Sequence, residues 1–173
     1  MHRRRLAFIE RLQSRIGDQL MLFGSGFAPV SDKAQAIDAC RYHLVLENSA
    51  DEHYWSEKLA DAYLGWALPV FSGTALIKDY FPPGSFEAID TSKPEAAIET
   101  VVRLLADDPW QSRLPQLGEA RRRILHDYNF MTMIAKVAAQ LPAEAAGPAA
   151  STPLLSSGAA TVRGRISRAI GLR

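Results

Sequence analysis

Apolar residues near the start of the chain recur at helical spacing. Leu6, Phe8, Ile9, Leu12 and Ile16 form one stripe, which predicts an amphipathic helix that Gly17 stops. Residues 19–24 (QLMLFG) are short, apolar and Gly-terminated, the pattern of a buried strand. Asp32 is placed to cap a helix over residues 33–40, with Ala34, Ile37 and Ala39 available to pack. Residues 42–47 read as a second strand, and residues 55–66 as a helix with Leu59, Ala62, Tyr63 and Trp66 on one stripe. A third strand covers residues 67–71, where Pro69 requires a sheet position that tolerates a missing donor. A short helix over 74–80, a Pro82-Pro83-Gly84 turn and an edge strand over 86–89 follow. Ser92 then caps a helix over 93–106, and a long basic helix covers about 109–141. Strands alternating with helices predict an α/β protein, a Rossmann-like parallel sheet flanked by helices with right-handed crossovers.

The composition changes after residue 141. Residues 142–161 are Ala, Pro, Gly and Ser, which reads as a disordered linker. The terminal VRGRISRAIGLR places Val162, Ile166 and Ile170 four apart among arginines, a pattern suited to peripheral contact with an anionic membrane. Gly164 and Gly171 each cost a helix about 1 kcal/mol, so a frayed, soluble tail is the favoured expectation. The domains are thus residues 1–141, Rossmann-like, and residues 142–173, a disordered linker and basic tail.

The net charge of +1 hides basic ends. The first fifteen residues carry Arg3, Arg4, Arg5, Arg11 and Arg15 against Glu10, and the last thirteen carry Arg163, Arg165, Arg168 and Arg173 with no acid. Such ends suit phosphates or an anionic surface, while the balance elsewhere argues against general nucleic-acid binding. The single cysteine, Cys40, excludes an internal disulfide, fits a reducing compartment and reads as a buried, inert thiol. No apolar run approaches the ~18 residues of a membrane span, and Glu10, Arg11, Gln13 and Arg15 interrupt any signal-peptide core. A cytoplasmic protein, peripheral to the membrane at most, is expected.

Candidate chemistry concentrates in residues 42–73. Glu47, Asn48 and Ser49 come at the carboxyl end of a strand, where open α/β sheets bind ligands. Ser56 is placed to cap the next helix, and Glu57 complements its dipole. Lys58 opposes that dipole, which an anion bound at the helix end would explain. The scattered histidines give no metal-ligand spacing; His43 reads as a satisfied sheet residue, and only His53, in the site loop, has a functional claim. Asp90, Asp107 and Asp108 read as caps, Arg121-Arg122-Arg123 as a solvated helix face, and Tyr63, Trp66 and Phe71 as core. GSGFAP lacks the third glycine of a dinucleotide turn.

The segment ENSADEHYWSEKLADAYLGWALPVFSG resembles the signature of the α-1,3/1,4-fucosyltransferases, glycosyltransferase family 10. There a Glu-Asn-Ser and a Tyr-x-Thr-Glu-Lys precede Pro-Val/Ile-x-x-Gly. RRRLAFIERL is similar to the family's Arg-x-x-Phe-x-x-x-Leu helix, FGSGFAPVSDK to its Gly-containing turn and lysine, and DYFPPGSFEAID to its Phe-Pro-x-x-Ser-Phe segment. The likeness covers about residues 3–130. It implies the C-terminal half of a two-Rossmann GT-B glycosyltransferase, which transfers fucose from GDP-fucose to a glycan hydroxyl with inversion.

By resemblance Arg5 and Lys58 address the donor diphosphate, Glu57 accepts from ribose hydroxyls, and Asn48 and Tyr54 line the donor site. Lys33, Glu47, Ser49, His53 and Ser56 form a second tier of candidates, Ser56 standing where the family usually has Thr. GDP-fucose is then the donor substrate, with no tightly bound cofactor, no metal and no nucleic acid. The general base and the glycan acceptor cleft are expected in an N-terminal domain missing here, so no catalytic residue is assigned and the isolated chain is expected to be weakly active or inactive. The alternative is a non-catalytic α/β interaction module that binds a membrane or a partner protein through its basic ends.

Overall fold

The computed structural model describes residues 2–141 apart from Ser25 and Ala39, with side chains from Arg4 onward. In chain order the elements are α1 (His2–Ile16), α2 (Lys33–Asp38), β1 (Tyr42–Leu46), α3 (Glu57–Leu64), β2 (Leu68–Ser72), α4 (Ile77–Tyr80), β3 (Glu87–Ala88), α5 (Pro94–Asp107), α6 (Leu114–His126) and α7 (Phe130–Gln140). The described strands form one parallel sheet of order β1-β2-β3, with Tyr42 opposite Leu68 and Val70 opposite Glu87. The expected α/β architecture, a parallel sheet flanked by helices, is observed. Contacts divide the chain into two units, Met1–Met133 and Ile134–Arg173.

Pro69 lies in the central strand, and the backbone direction explains why it is tolerated. Leu68 N–H donates to Arg41 O and Ser72 O accepts from Glu47 N–H, so residues 68, 70 and 72 face β1. Phe71 O accepts from Ile89 N–H, so residues 69 and 71 face β3. Pairing with β3 begins only at Val70. The donor that Pro69 lacks would therefore point past the start of a two-residue strand.

The apolar stripes predicted from spacing become the core. Phe8 and Leu12 of α1 and Leu59, Ala62 and Tyr63 of α3 are buried with Val45, Leu68 and Phe71 of the sheet. Against the sheet-flanking layers, α3 packs on α6 and α1 on α5. Phe81, fully buried, sits among Trp55, Tyr63 and Tyr128 with ring centroids 5.4, 4.8 and 5.7 Å away. Tyr42 ties the start of β1 to the end of α5 through its hydroxyl, 2.6 Å from Asp108 Oδ1. Burial first, then that bond, pushes its phenol up to about 12.

Several expectations are corrected. Residues 19–24 are not a strand: a 3-10 turn ends at Gln19, and Gly24 and Gly26 take φ of 107° and 88°. Those angles fold the chain back so that Gly24 N–H, Phe27 N–H and Ala28 N–H all bond locally, and only a bridge between Phe23 and Ala28 survives. Ser92 does not cap α5. Its N–H donates to Asp90 Oδ1 at 2.9 Å, and Lys93 precedes Pro94 as the N-cap.

The helix expected over 109–141 is broken, because Asn129 Oδ1 accepts from Thr132 N–H at 2.9 Å and caps α7. Trp66 is 41% exposed rather than core, with φ of 59°. It lies beneath the Arg121 guanidinium, 5.3 Å from the ring centre. Nor is the arginine run merely solvated, since Arg123 also donates to Tyr80 O at 2.7 Å. Cys40 is half-buried rather than buried; desolvation pushes its thiol up. The linker and tail expected over 142–173 lie outside the described residues.

Candidate functional site

β1 ends at Leu46, and the next two side chains turn in different directions. Glu47 points inward, with its side chain fully buried. Its Oε1 accepts from Ser56 N–H at 2.8 Å, and the Ser56 hydroxyl lies 2.9 and 2.7 Å from the two carboxylate oxygens. Asn48 is exposed, and its Oδ1 accepts from the Arg5 guanidinium at 2.5 Å. The same Arg5 nitrogen donates to Leu46 O at 3.2 Å. Because residues 43, 45 and 47 face β2, Leu46 O belongs to the outer edge of β1, and Arg5 covers it.

The helix side of the site starts at Ser56, the N-cap of α3, whose hydroxyl accepts from Lys58 N–H at 3.4 Å. The Lys58 ammonium lies 3.0 Å from Ser56 Oγ, 3.3 Å from Glu57 Oε1 and 3.6 Å from Glu47 Oε2. Glu57 is exposed, and its carboxyl is held below the usual range by a backbone amide at the helix start and then by Lys58. Lys33, at the start of α2, is ion-paired with Asp61 of α3. Lys58 opposes the helix dipole for a reason the spacing hid: the anion at that end of α3 is Glu47 itself.

Arg5, Lys33 and Lys58 line one cavity of about 600 Å³ alongside β1. Leu6, Ile37 and Leu44 line it too, as does the turn over residues 19–24. The remaining candidates lie elsewhere. Ser49 Oγ accepts from Asp51 N–H at 3.2 Å inside the loop, and Tyr54 is half-buried with its N–H on Asp51 O. His53 has φ of 62°, with Nδ1 2.7 Å from the Tyr80 hydroxyl. His43 does line the cavity. Its Nδ1 is buried with no hydrogen-bond partner among the described residues, so it is not the satisfied sheet histidine expected. Burial lowers its pKa.

Two contributors were missed from the sequence. Asp61 follows Lys58 by three positions on α3, and its spacing gives no sign of the partner it has in α2, Lys33. Gly73 reads as a strand terminator and the last position of the Pro-Val/Ile-x-x-Gly motif, neither of which shows that Glu47 packs on it. A Cβ at Gly73 would lie 2.5 Å from Phe71 Cζ and 3.0 Å from Glu47 Cγ. Gly73→Ala should therefore destabilise the fold by about 1–3 kcal/mol through overpacking, measured by urea denaturation. An unchanged midpoint would show that Phe71 and Glu47 yield freely.

Residues 1–112 match glycosyltransferase family 10 (fucosyltransferase), C-terminal region. The chain belongs to this family. A crystal structure of an α1,3-fucosyltransferase is similar to it with a TM-score of 0.50 and 23% identity, over 62% of this chain and 32% of that one. At that identity the likeness carries the fold, a GT-B half. None of the curated proteins matches the chain. This family 10 domain thus spans about a third of its structural neighbour's length, and the cluster around Arg5, Glu47 and Lys58 falls within the matched residues. Among its described residues no group of three or more His, Cys, Asp or Glu could hold a metal ion, and no helix is long and apolar enough to cross a membrane.

Proposed function

We propose that this chain is the donor-binding domain of a fucosyltransferase, holding GDP-fucose for inverting transfer of the sugar to a glycan hydroxyl. The observation that carries the reading is the convergence of Arg5, Lys33 and Lys58, from three separate helices, on one cavity beside β1. Its volume of about 600 Å³ falls within the range of small-molecule sites. A guanidinium offers a planar fork and a lysine a compact point charge, a pairing suited to a diphosphate.

The chemistry follows from where charge develops. As the bond from the anomeric carbon to the phosphate oxygen breaks, negative charge grows on the leaving GDP while the sugar becomes cationic. Fixed cations at the diphosphate stabilise that state more than the bound substrate. Glu57, ionised and exposed at the first turn of α3, is assigned to ribose hydroxyls. Asn48 orients Arg5 through their 2.5 Å contact, and Tyr54, in the loop before α3, is kept as a donor-site candidate outside the lining of this cavity. The glycan acceptor and its general base are assigned to a domain outside these residues, so the chain alone should transfer little fucose. The single cysteine supports a cytoplasmic location, and the basic residues 162–173 are kept as a candidate peripheral membrane contact.

Thermal denaturation with added nucleotide tests the reading. At a hundredfold excess over Kd, a site specific to the folded state adds about 2.7 kcal/mol of stability. GDP and GDP-fucose should raise the melting temperature and UDP should not. Equal, small shifts for all three would remove the donor assignment.

A further inference from the structure

We infer that Glu47 is a positioning residue: it binds no ligand itself, but fixes the start of α3 and aims the Lys58 ammonium at the cavity. The inference rests on the reading above, in which Lys58 faces the donor diphosphate.

Glu47 is sealed off from any ligand, its side chain having no exposed surface. A carboxylate in such a place is stable only when hydrogen bonds and a nearby cation offset its lost hydration. Both oxygens are engaged by Ser56, through its N–H and its hydroxyl. The other side is closed, because the Glu47 Cγ lies against Gly73 closely enough that a Cβ there would sit at 3.0 Å. The carboxylate is thereby confined to one direction, toward the first turn of α3.

Ser56 passes that constraint on. Its hydroxyl donates to Glu47 and accepts from Lys58, at 3.4 Å from the backbone N–H and 3.0 Å from the ammonium. The direct Lys58–Glu47 distance of 3.6 Å is that of an ion pair rather than a hydrogen bond. Lys58 is thus steered through the hydroxyl and held near the carboxylate, yet stays 30% exposed and lines the cavity with Arg5 and Lys33. A simpler account, in which Lys58 merely neutralises Glu47, makes no demand that the ammonium share a cavity with two other cations.

A double-substitution cycle on the full 173-residue chain separates the two accounts, with GDP as the probe and calorimetry as the readout. If Glu47 acts through Lys58, Glu47→Gln should weaken GDP roughly tenfold, the size of one charge-assisted contact. On a Lys58→Met background the same change should cost less than about twofold, because the group it positions is gone. Independent, additive losses would overturn the inference. Should Glu47→Gln fail to fold, Ser56→Ala takes its place, cutting the relay at the hydroxyl.

A wild-type chain that bound no GDP would defeat the donor reading alone, since the positioning role has a ligand-free readout. NMR of the lysine ammonium groups should show a slowly exchanging Lys58 signal, assigned by its loss in Lys58→Met. That signal should vanish in Glu47→Gln. Its persistence there would defeat the positioning role whatever GDP does.

Discussion

The double substitution Arg5→Met, Lys58→Met should abolish the thermal shift that GDP gives the unmodified chain. Each residue is assigned a charge-assisted hydrogen bond to the diphosphate, worth about 1.5–3 kcal/mol. Losing both removes roughly 3–6 kcal/mol, a drop in affinity of at least about a hundredfold. That exceeds the ~2.7 kcal/mol shift available at a hundredfold excess of ligand. Methionine keeps an aliphatic stem against the cavity wall, so the change reports charge more than packing. The unliganded melt should also fall, because the buried Glu47 carboxylate loses the Lys58 ammonium 3.6 Å away and Leu46 O loses the Arg5 donor. Comparing melts with and without GDP isolates the ligand effect. A double variant retaining half the shift would place the diphosphate elsewhere.

Phe81→Ala should cost the fold about 3–5 kcal/mol, the range for removing a large buried aromatic. Its ring is fully buried and meets Trp55, Tyr63 and Tyr128 edge-on or tilted, so the void would be lined by rigid rings that close in poorly. Against a typical total of about 5–15 kcal/mol, this is a large fraction. Urea denaturation checks it, and a loss below about 1 kcal/mol would show that the cluster collapses around the gap. The site should feel the same change, since Trp55 immediately precedes the cap of α3.

What the sequence made legible follows from how far each signal reaches along the chain. The stripes of α1 and α3 were readable because one face of each meets the core, and Phe8, Leu12, Leu59 and Tyr63 are all buried there. β1 and β2 were readable as apolar runs bounded by polar or Gly stops. Residues 19–24 carried the same signal and did not form a strand, because the positive φ of Gly24 and Gly26 turns the chain back, with Gly24, Phe27 and Ala28 N–H bonded inside that turn. The break between α6 and α7 depends on one capping amide, Asn129, inside an otherwise helical composition. Trp66 looked like core by its spacing, but its positive φ turns the chain at the end of α3 and leaves the ring under an arginine.

The candidate site divides along the same line. Arg5, Asn48, Ser56, Glu57 and Lys58 were singled out by motif; the fold joins Arg5 to Asn48, and Ser56 and Glu57 to Lys58, with Arg5 and Lys58 lining one cavity. The inward turn of Glu47 was not legible, because a carboxylate after a strand gives no sign of which way it points. Asp61 matters through Lys33 in another helix, and Gly73 through Glu47 at the end of β1 as well as its near neighbour Phe71. Their roles exist in three dimensions and leave no local pattern.

The carboxylate lodged at the start of α3 has a further consequence. Where main-chain amides cradle a phosphate, the attraction is built into the backbone and is hard to dilute. Here the amide and hydroxyl of Ser56 are already consumed within the protein, so an incoming anion depends on the tips of Arg5, Lys33 and Lys58. Charges on such partly solvated side chains are screened over a Debye length of about 8 Å at physiological ionic strength. On the donor-domain reading, a nucleotide gripped this way should bind more weakly as the surrounding salt rises.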